Sequence, residues 1–361
     1  MPEIDGLRLV AVGSVVLYHL HGYLPNGGVN IPFHAAIAHG YRGVNLFYVI
    51  SGFILGMPFA LHHLTGAPPV SLRAYFVRRL TRLEPPYILN LLLCSALMVV
   101  GQDANVFALL PHLGASILYL HNVIYGVQST INPVAWTLEI EVQFYCLMPL
   151  FALFYLVRSK TVRRTVLTVS ILLAGAAQTW MWDGPPRAKL SILYAVQFFV
   201  AGLLLADLYI EDWHQRPEPS WRWDLVSCAC WPLLFLMPDR AGWVFFPYLI
   251  LLVYVSAFRG VIFRSIFRNS FVTAVGGMCY TIYLIHYQLI PLVLKQAASA
   301  GSRIGWVVPV PAQVLTYFLG LAVVSCICFL AIERPCMKKD WPRRLANRAA
   351  SLLGRQAVPA R

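Results

Sequence analysis

Hydrophobic residues along this 361-residue chain occur in long, nearly continuous runs that are separated by short polar segments. Ten of these runs are at or near the roughly 20 residues that a helix needs to cross about 30 Å of hydrocarbon. The pattern predicts an all-α, polytopic membrane protein with about ten transmembrane helices. The predicted spans are Leu7–Leu24, Gly43–Leu61, Pro86–Gly101, Trp136–Val157, Thr165–Trp182, Lys189–Tyr209, Trp223–Pro238, Trp243–Arg259, Phe271–Gln296 and Val307–Ile332.

A further apolar stretch, Leu109–Gly126, is interrupted by Pro111, His112, His121 and Asn122. These residues predict a re-entrant or interfacial segment. An eleventh span at this position would invert the orientation of every later helix.

The composition agrees with a membrane protein, because 59% of the residues are hydrophobic, 12% are charged and the mean hydropathy is +0.66. The net charge of +13 is explained by basic residues that concentrate in alternate loops, so no nucleic-acid partner is expected. With the N-terminus in the cytoplasm, 21 of the 28 Lys and Arg residues fall on the cytoplasmic side, as the positive-inside rule predicts. We expect residues 1–332 to form the transmembrane domain, and residues 333–361 to form a basic cytoplasmic tail against anionic lipid.

The start of the chain and the cysteines add two expectations. Asp5 and Arg8 lead into the first span without a cleavage site for a signal peptidase, so we expect this helix to be retained. The eight cysteines lie within or at the ends of spans, which indicates small buried hydrophobic residues rather than disulfides or metal ligands.

The first span carries two ionisable residues, Arg8 and His19, which are eleven positions apart. This spacing is close to three helical turns, so both side chains face one side of the helix, about 16 Å apart along its axis. Because ionisable groups inside a membrane are costly unless paired or hydrated, they predict a central polar cleft. The alternative is that His19 only caps the helix at the outer interface.

Polar residues in the second span and arginines before the third extend this cleft. Ser51 is a candidate for contact with a substrate, although small polar residues also pack helices together in membranes. Arg78, Arg79 and Arg82 lie near one helical face, where guanidinium groups can grip phosphate. The same arginines are equally well explained as topology signals.

The fourth span contains Glu139 and Glu141, which diverge by about 200° on a helix. At most one of them can face the cleft, and the residues alone do not select which. Helical rise places His19, Ser51 and Glu141 about 11–12 Å below the outer boundary and His286 about 8 Å below it. Four polar groups are therefore expected at one level.

Five short motifs occur in order along the chain: IDGLRLVAV, GVNLFYVISGFIL, the R-x-x-R of Arg79 and Arg82, WTLEIEVQFY and YTIYLIHYQLIP. Together they resemble the acyltransferase-3 family of integral membrane O-acyltransferases. The resemblance implies ten helices in a bacterial cytoplasmic (inner) membrane. It also implies transfer of an acyl group, commonly acetyl from acetyl-CoA, to a hydroxyl of an extracytoplasmic glycan or related acceptor, with no metal.

The resemblance also implies that Arg8, His19, Arg79, Arg82 and Glu141 are the essential residues. The three arginines would bind the acyl-CoA donor near the cytoplasmic boundary. His19 would act as general base on the acceptor hydroxyl, because an imidazole can take its proton as it attacks the thioester. Glu141 would orient that imidazole as the third member of a triad does.

Aligning the family pattern W-S-L-x-x-E on Trp136 selects Glu141 over Glu139. Two departures are Thr137, where the family usually has Ser, and Asn45, where it often has Asp. Ser51, Asn45 and Tyr283 are candidates for steadying the oxyanion, and His286 is a candidate for a structural role or for contact with the acceptor.

Two other functions are compatible with the sequence. A transporter or flippase of polar lipids would need a similar cleft, and an acyltransferase could act on a lipid or an antibiotic. Dependence on acetyl-CoA in liposomes would separate enzyme from carrier. Because no soluble domain is seen after Ile332, we expect the acyl group to pass directly to the acceptor or to a separate extracytoplasmic transferase.

The distribution of basic residues predicts that both termini are cytoplasmic and that residues 103–132 form an outer segment. Reporter fusions active only in the cytoplasm should therefore work at residue 361 and fail within 103–132. The opposite pattern would contradict the ten-helix topology.

Overall fold

The computed structural model describes residues 1–24, 32–239, 244–303, 308–338 and 341, which are helical with short connections and contain no strand. Twelve described helices have eight or more residues. They are α1 Pro2–Tyr23, α2 Gly43–Thr65, α3 Leu72–Gln102, α4 Val106–Ile117, α5 Trp136–Phe151, α6 Lys160–Trp180, α7 Val196–Glu211, α8 Arg222–Leu236, α9 Phe246–Arg259, α10 Ser270–Gly277, α11 Cys279–Arg303 and α12 Val310–Cys328.

Shorter helical pieces connect them. The α-helical pieces are His34–Ala38, His121–Tyr125, Pro186–Lys189, Ile262–Phe267 and Arg334–Cys336. The 3₁₀ pieces are Gly40–Arg42, Pro133–Ala135, Ala152–Leu156, Met181–Asp183 and Ile192–Tyr194, and Phe329–Glu333 is a π-helix.

The predicted all-α polytopic architecture is confirmed. Four described helical segments are individually long and apolar enough to cross a membrane, and the bent pair α10 and α11 makes a fifth. The helices α7, α8 and α9 have only 16, 15 and 14 residues, or about 21–24 Å at 1.5 Å per residue. The total of ten spans therefore stays a prediction.

The predicted start of the third span at Pro86 is wrong, because α3 begins fourteen residues earlier at Leu72. The hydroxyl of Ser71 caps this helix by accepting a hydrogen bond from the backbone N–H of Ala74. Pro85 and Pro86 lie inside the helix. The arginines before them are thus part of the same helix as the apolar residues that follow.

The predicted span Phe271–Gln296 is two helices, α10 and α11, which meet at Met278 with a bend of 67°. Glu333 accepts hydrogen bonds at this bend from the backbone N–H of Thr281 (3.2 Å) and from its hydroxyl (2.5 Å). Glu333 was assigned to the basic tail, but its side chain is buried. Of that tail, the structure describes only residues 333–338 and 341, and of the predicted span Val307–Ile332 the first residue lies outside the described part.

The stretch Leu109–Gly126 does not form one continuous helix. It contains most of α4, which is 12 residues long, and the short helix His121–Tyr125. Buried Glu139 on α5 holds this segment by accepting a hydrogen bond of 2.7 Å from the backbone N–H of Asn122. Glu139 thus has a structural partner in this segment, whose re-entrant or interfacial position stays a prediction.

The basic residues at one end of α6 pair with acids on α7. Arg163 and Asp207 form a buried salt bridge, and Arg164 bonds to Asp207 at 2.6 Å and to Asp212 at 2.9 Å. Burial acts to raise the pKa of Asp212, but hydrogen bonds from Arg164 and Lys160 outweigh it and lower that pKa. These cations therefore join two helices, and their assignment to the cytoplasmic side stays a prediction.

The cysteines are all free thiols. The expectation that they are buried holds for only some of them, because the others lie on the outer surface of the helical body. Cys94, Cys230 and Cys336 are buried, Cys279 and Cys328 are half-buried, and Cys146, Cys228 and Cys326 are exposed.

Helices α2 and α7 approach each other closely at a pair of glycines. A Cβ atom on Gly52 would lie 2.1 Å from the carbonyl oxygen of Phe199, and one on Gly202 would lie 2.3 Å from that of Val49. Separations this short are not tolerated, so both positions require glycine. Small residues of this kind let helix backbones approach in membrane proteins.

We expect Gly52→Ala to lower the thermal unfolding midpoint of the purified protein in detergent, because overpacking costs about 1–3 kcal/mol. Gly13→Ala on α1 is the matched control, since no atom lies within 4 Å of its added Cβ, and it should leave the midpoint unchanged or raise it. Equal midpoints for the two variants would contradict the close contact.

Candidate active site

Two adjoining cavities lie inside the helical body, where the sequence predicted a single cleft. The arginine cavity has a volume of about 130 Å³, and the histidine cavity has a volume of about 430 Å³. Val44, Tyr48 and Tyr283 belong to both linings and therefore form a common wall. The predicted site residues other than His286, which lines neither cavity, are divided between the two. Arg8, Ser51, Arg79, Arg82 and Glu141 line the first, His19 and Asn45 line the second, and Tyr283 lines both.

The arginine cavity presents cations that lack a carboxylate partner. Arg8 pairs with Asp5 at 2.7 Å, whereas Arg79 and Arg82 form no salt bridge with any residue that the structure describes. The Nε atom of Arg79 is buried without a hydrogen-bond partner in the described chain. Arg78 is exposed and does not line the cavity. The cavity is thus suited to an anionic group that engages Arg79 and Arg82.

Glu141 faces the arginine cavity, and its partners differ from those expected. Its Oε1 atom accepts hydrogen bonds from the hydroxyls of Ser51 and Tyr145, both at 2.6 Å. No hydrogen bond joins Glu141 to His19 among the described residues, so the orienting role predicted for Glu141 is not seen. The reason is geometric, because Glu141 and His19 line different cavities.

The orienting partner of His19 is His286 on α11, which is fully buried. The Nε2 atom of His286 lies 3.0 Å from Nδ1 of His19, and Nδ1 of His286 lies 2.7 Å from the carbonyl oxygen of Tyr283. A carbonyl can only accept, so Nδ1 of His286 donates to it. In a neutral imidazole the other nitrogen then accepts, so Nε2 of His286 takes a hydrogen bond from Nδ1–H of His19.

This hydrogen-bond chain leaves Nε2 of His19 as an unprotonated acceptor. His19 lines the histidine cavity, and an unprotonated imidazole nitrogen can accept a proton near neutral pH. His286 had been expected to be structural or to contact the acceptor. The structure instead gives it a direct hydrogen bond to His19, which sequence spacing could not reveal because the two residues are 267 positions apart.

The remaining surface of the histidine cavity is aromatic and amide-bearing. Its lining includes Asn45 but no Lys, Arg, Asp or Glu among the residues described there. Aromatic faces and uncharged hydrogen-bonding groups suit a neutral ligand that carries hydroxyls. The other aromatic and amide residues of the lining are Tyr18, Tyr41, Tyr48, Gln128, Trp136, Gln178, Tyr194, Tyr283 and Tyr287.

Several site residues were not identified from the sequence. The hydroxyl of Thr137, which the sequence marked only as a departure from the family pattern, lies 2.7 Å from the hydroxyl of Tyr283. Tyr145 could have been found, because it lies four residues after Glu141 and therefore on the same helical face. Neither the spacing nor the motifs of the sequence indicated Tyr48 or Gln178 as site residues. Within the described residues, no group of three His, Cys, Asp or Glu side chains could hold a metal ion.

A family profile described as an acyltransferase domain matches residues 1–333. The chain belongs to the acyltransferase-3 family. It is 25% identical over 321 residues to a putative O-acetyltransferase of Staphylococcus aureus strain MSSA476, with 81% of this chain and 51% of the relative covered. It is 23% identical over 370 residues to the O-acetyltransferase OatA of Staphylococcus aureus strain NCTC 8325 / PS 47. That alignment covers 94% of this chain and 58% of the relative.

The chain thus spans little more than half the length of these curated relatives. No solved structure matches it. Family membership agrees with the resemblance carried by the five sequence motifs.

Proposed function

We propose that this protein transfers an acyl group, most simply acetyl, from acyl-CoA on the cytoplasmic side to a hydroxyl of a glycan or related acceptor on the outer side of the membrane. The observation that carries the proposal is the common wall between a cavity with unpaired arginines and a cavity with an oriented histidine. The names of the relatives, which are O-acetyltransferases, support acetyl as the group transferred.

The arginine cavity supports the donor assignment. CoA carries phosphates, which arginine binds with two parallel hydrogen bonds, and Arg79 and Arg82 form no salt bridge with any described residue. A volume of about 130 Å³ suits a narrow chain better than a nucleotide. The pantetheine arm would therefore enter the cavity and bring the thioester to the common wall, while a phosphate of CoA contacts Arg79 and Arg82 and the adenosine stays outside the cavity.

The histidine cavity supports the acceptor assignment. Nε2 of His19 would take the proton of the acceptor hydroxyl as its oxygen attacks the acyl carbon. The bond from carbon to the acceptor oxygen forms, the carbon–sulfur bond breaks, and the CoA thiolate takes up the proton. The uncharged lining favours a neutral sugar or another neutral alcohol over an anionic acceptor.

A carrier of polar lipids is the rival function. Purified protein in liposomes with labelled acetyl-CoA and a soluble neutral glycan should release CoA and label the glycan. Movement of a lipid without any consumption of acetyl-CoA would contradict the proposal. Product formed without a second protein would remove the need for a separate extracytoplasmic transferase.

Arg79→Ala and Arg82→Ala should each weaken CoA binding by at least about tenfold, which corresponds to about 1.4 kcal/mol. Lys at either position should restore only part of it, because an ammonium cannot make the forked phosphate contact. Arg78→Ala is the matched control, since Arg78 is exposed on the same helix outside the cavity. Calorimetry with CoA measures the effect, and undiminished affinity in the double variant would leave these arginines as topology signals.

His19→Gln should reduce acyl transfer by about 10²–10⁴-fold, because glutamine hydrogen-bonds but does not accept the proton at neutral pH. Binding of CoA should change little. His286→Phe should also slow transfer, whereas His286→Gln should retain more activity, because its amide oxygen can still accept from Nδ1–H of His19. Transfer rates and CoA affinity are measured together.

His63→Ala serves as the control, since His63 is exposed at the end of α2. If His19→Gln retains most of the transfer activity while His286→Ala abolishes it in a folded protein, the base lies on α11 instead of α1.

A further inference from the structure

Tyr48 holds an unused hydrogen-bonding group in the common wall of the two cavities. Its side chain is 3% exposed, and its hydroxyl has no hydrogen-bond partner among the described residues. Nearly all buried polar atoms in folded proteins are paired, so an unpaired one requires an explanation. A ligand that occupies the cavities would supply the missing partner.

The other two residues of the common wall offer no such group. Val44 is apolar. The hydroxyl of Tyr283 already bonds to Thr137 at 2.7 Å and donates to the carbonyl oxygen of Val134 at 3.1 Å. Tyr48 therefore contributes the one free hydroxyl among the three shared residues.

Packing, rather than hydrogen bonding, fixes the position of this hydroxyl. The ring of Tyr48 lies against that of Phe199, with 4.8 Å between centroids, and Phe199 stacks on Phe144 at 4.1 Å. The same part of α2 is held against α7 by the close contact at Gly52. The hydroxyl is thus preorganised before any ligand binds, which is the property that stabilises developing charge effectively.

We propose that the Tyr48 hydroxyl donates a hydrogen bond to the carbonyl oxygen of the acyl thioester at the common wall, an inference that rests on the acyl transfer proposed above. As the acceptor oxygen attacks the acyl carbon, negative charge moves onto this carbonyl oxygen. Tyr48 stabilises that charge and keeps its own proton throughout. The proton of the acceptor moves to His19 and then to the leaving thiolate, so no other reactant is needed.

Tyr48→Phe tests this assignment, because it removes only the hydroxyl oxygen and keeps the ring packing. We expect transfer of acetyl to fall by about 10²-fold, as for loss of one oxyanion donor, while CoA affinity stays within about twofold because it depends on the arginines. The unfolding midpoint without ligand should be unchanged or higher, since an unpaired buried hydroxyl contributes no stability.

Tyr254→Phe is the matched control. The hydroxyl of Tyr254 donates to the carbonyl oxygen of Leu46 on α2 at 2.8 Å and lies outside both cavity linings. This variant should lower the unfolding midpoint while transfer per folded molecule stays near that of the unmodified protein.

Three results would overturn the inference: transfer by Tyr48→Phe at the unmodified rate, a parallel loss of CoA affinity, or a midpoint lowered as in Tyr254→Phe. Failure of the proposed function gives a different result, because the unmodified protein would then consume no acetyl-CoA.

Discussion

The close contact between α2 and α7 is the constraint on which both cavities depend. At Gly52 and Gly202 the two backbones touch, and no other residue type fits without moving a helix. Helix α2 then presents Ser51 to the arginine cavity, Asn45 to the histidine cavity and Tyr48 to both. A helix held by backbone contact shifts little, so the position of the common wall is set by the packing of two glycines rather than by the polar residues it carries.

Some polar side chains inside this apolar body bond to other residues, whereas a few polar atoms face the cavities without a partner in the described chain. Glu139 accepts a hydrogen bond from the backbone of Asn122 through one carboxylate oxygen, and Arg163 pairs with Asp207, so each buried charge has at least one partner. In contrast, the Nε atom of Arg79 and the hydroxyl of Tyr48 are buried on cavity linings without a hydrogen-bond partner in the described chain. Buried atoms without a partner also occur elsewhere in the described chain, so the position of these two groups on cavity linings, rather than the missing bond alone, is what makes them available to a ligand.

The arrangement around His19 differs from a triad that ends in a carboxylate. His19 is oriented by a second imidazole, His286, which is anchored on the main-chain carbonyl of Tyr283. Because His286 is neutral in this arrangement, no further charge is buried beside His19. The free-energy cost of removing such a charge from water is therefore avoided. This arrangement also keeps the described lining of the histidine cavity without Lys, Arg, Asp or Glu, while the charges of the site remain in the arginine cavity. The two cavities thus differ in the charge of their linings as well as in volume.

The sequence by itself determined the helical membrane architecture, because long apolar runs with polar loops leave no other satisfactory arrangement of backbone hydrogen bonds in lipid. It also indicated candidate site residues such as Arg8 and His19, since ionisable side chains are conspicuous in apolar helices, and both line a cavity in the structure. Only the tertiary structure decided the break at Met278, the partner of His19, and the division into two cavities. Helical periodicity fixes which residues share a face of one helix, but the crossing of α1, α2, α5 and α11 fixes which faces meet, and that depends on packing between residues far apart in the chain.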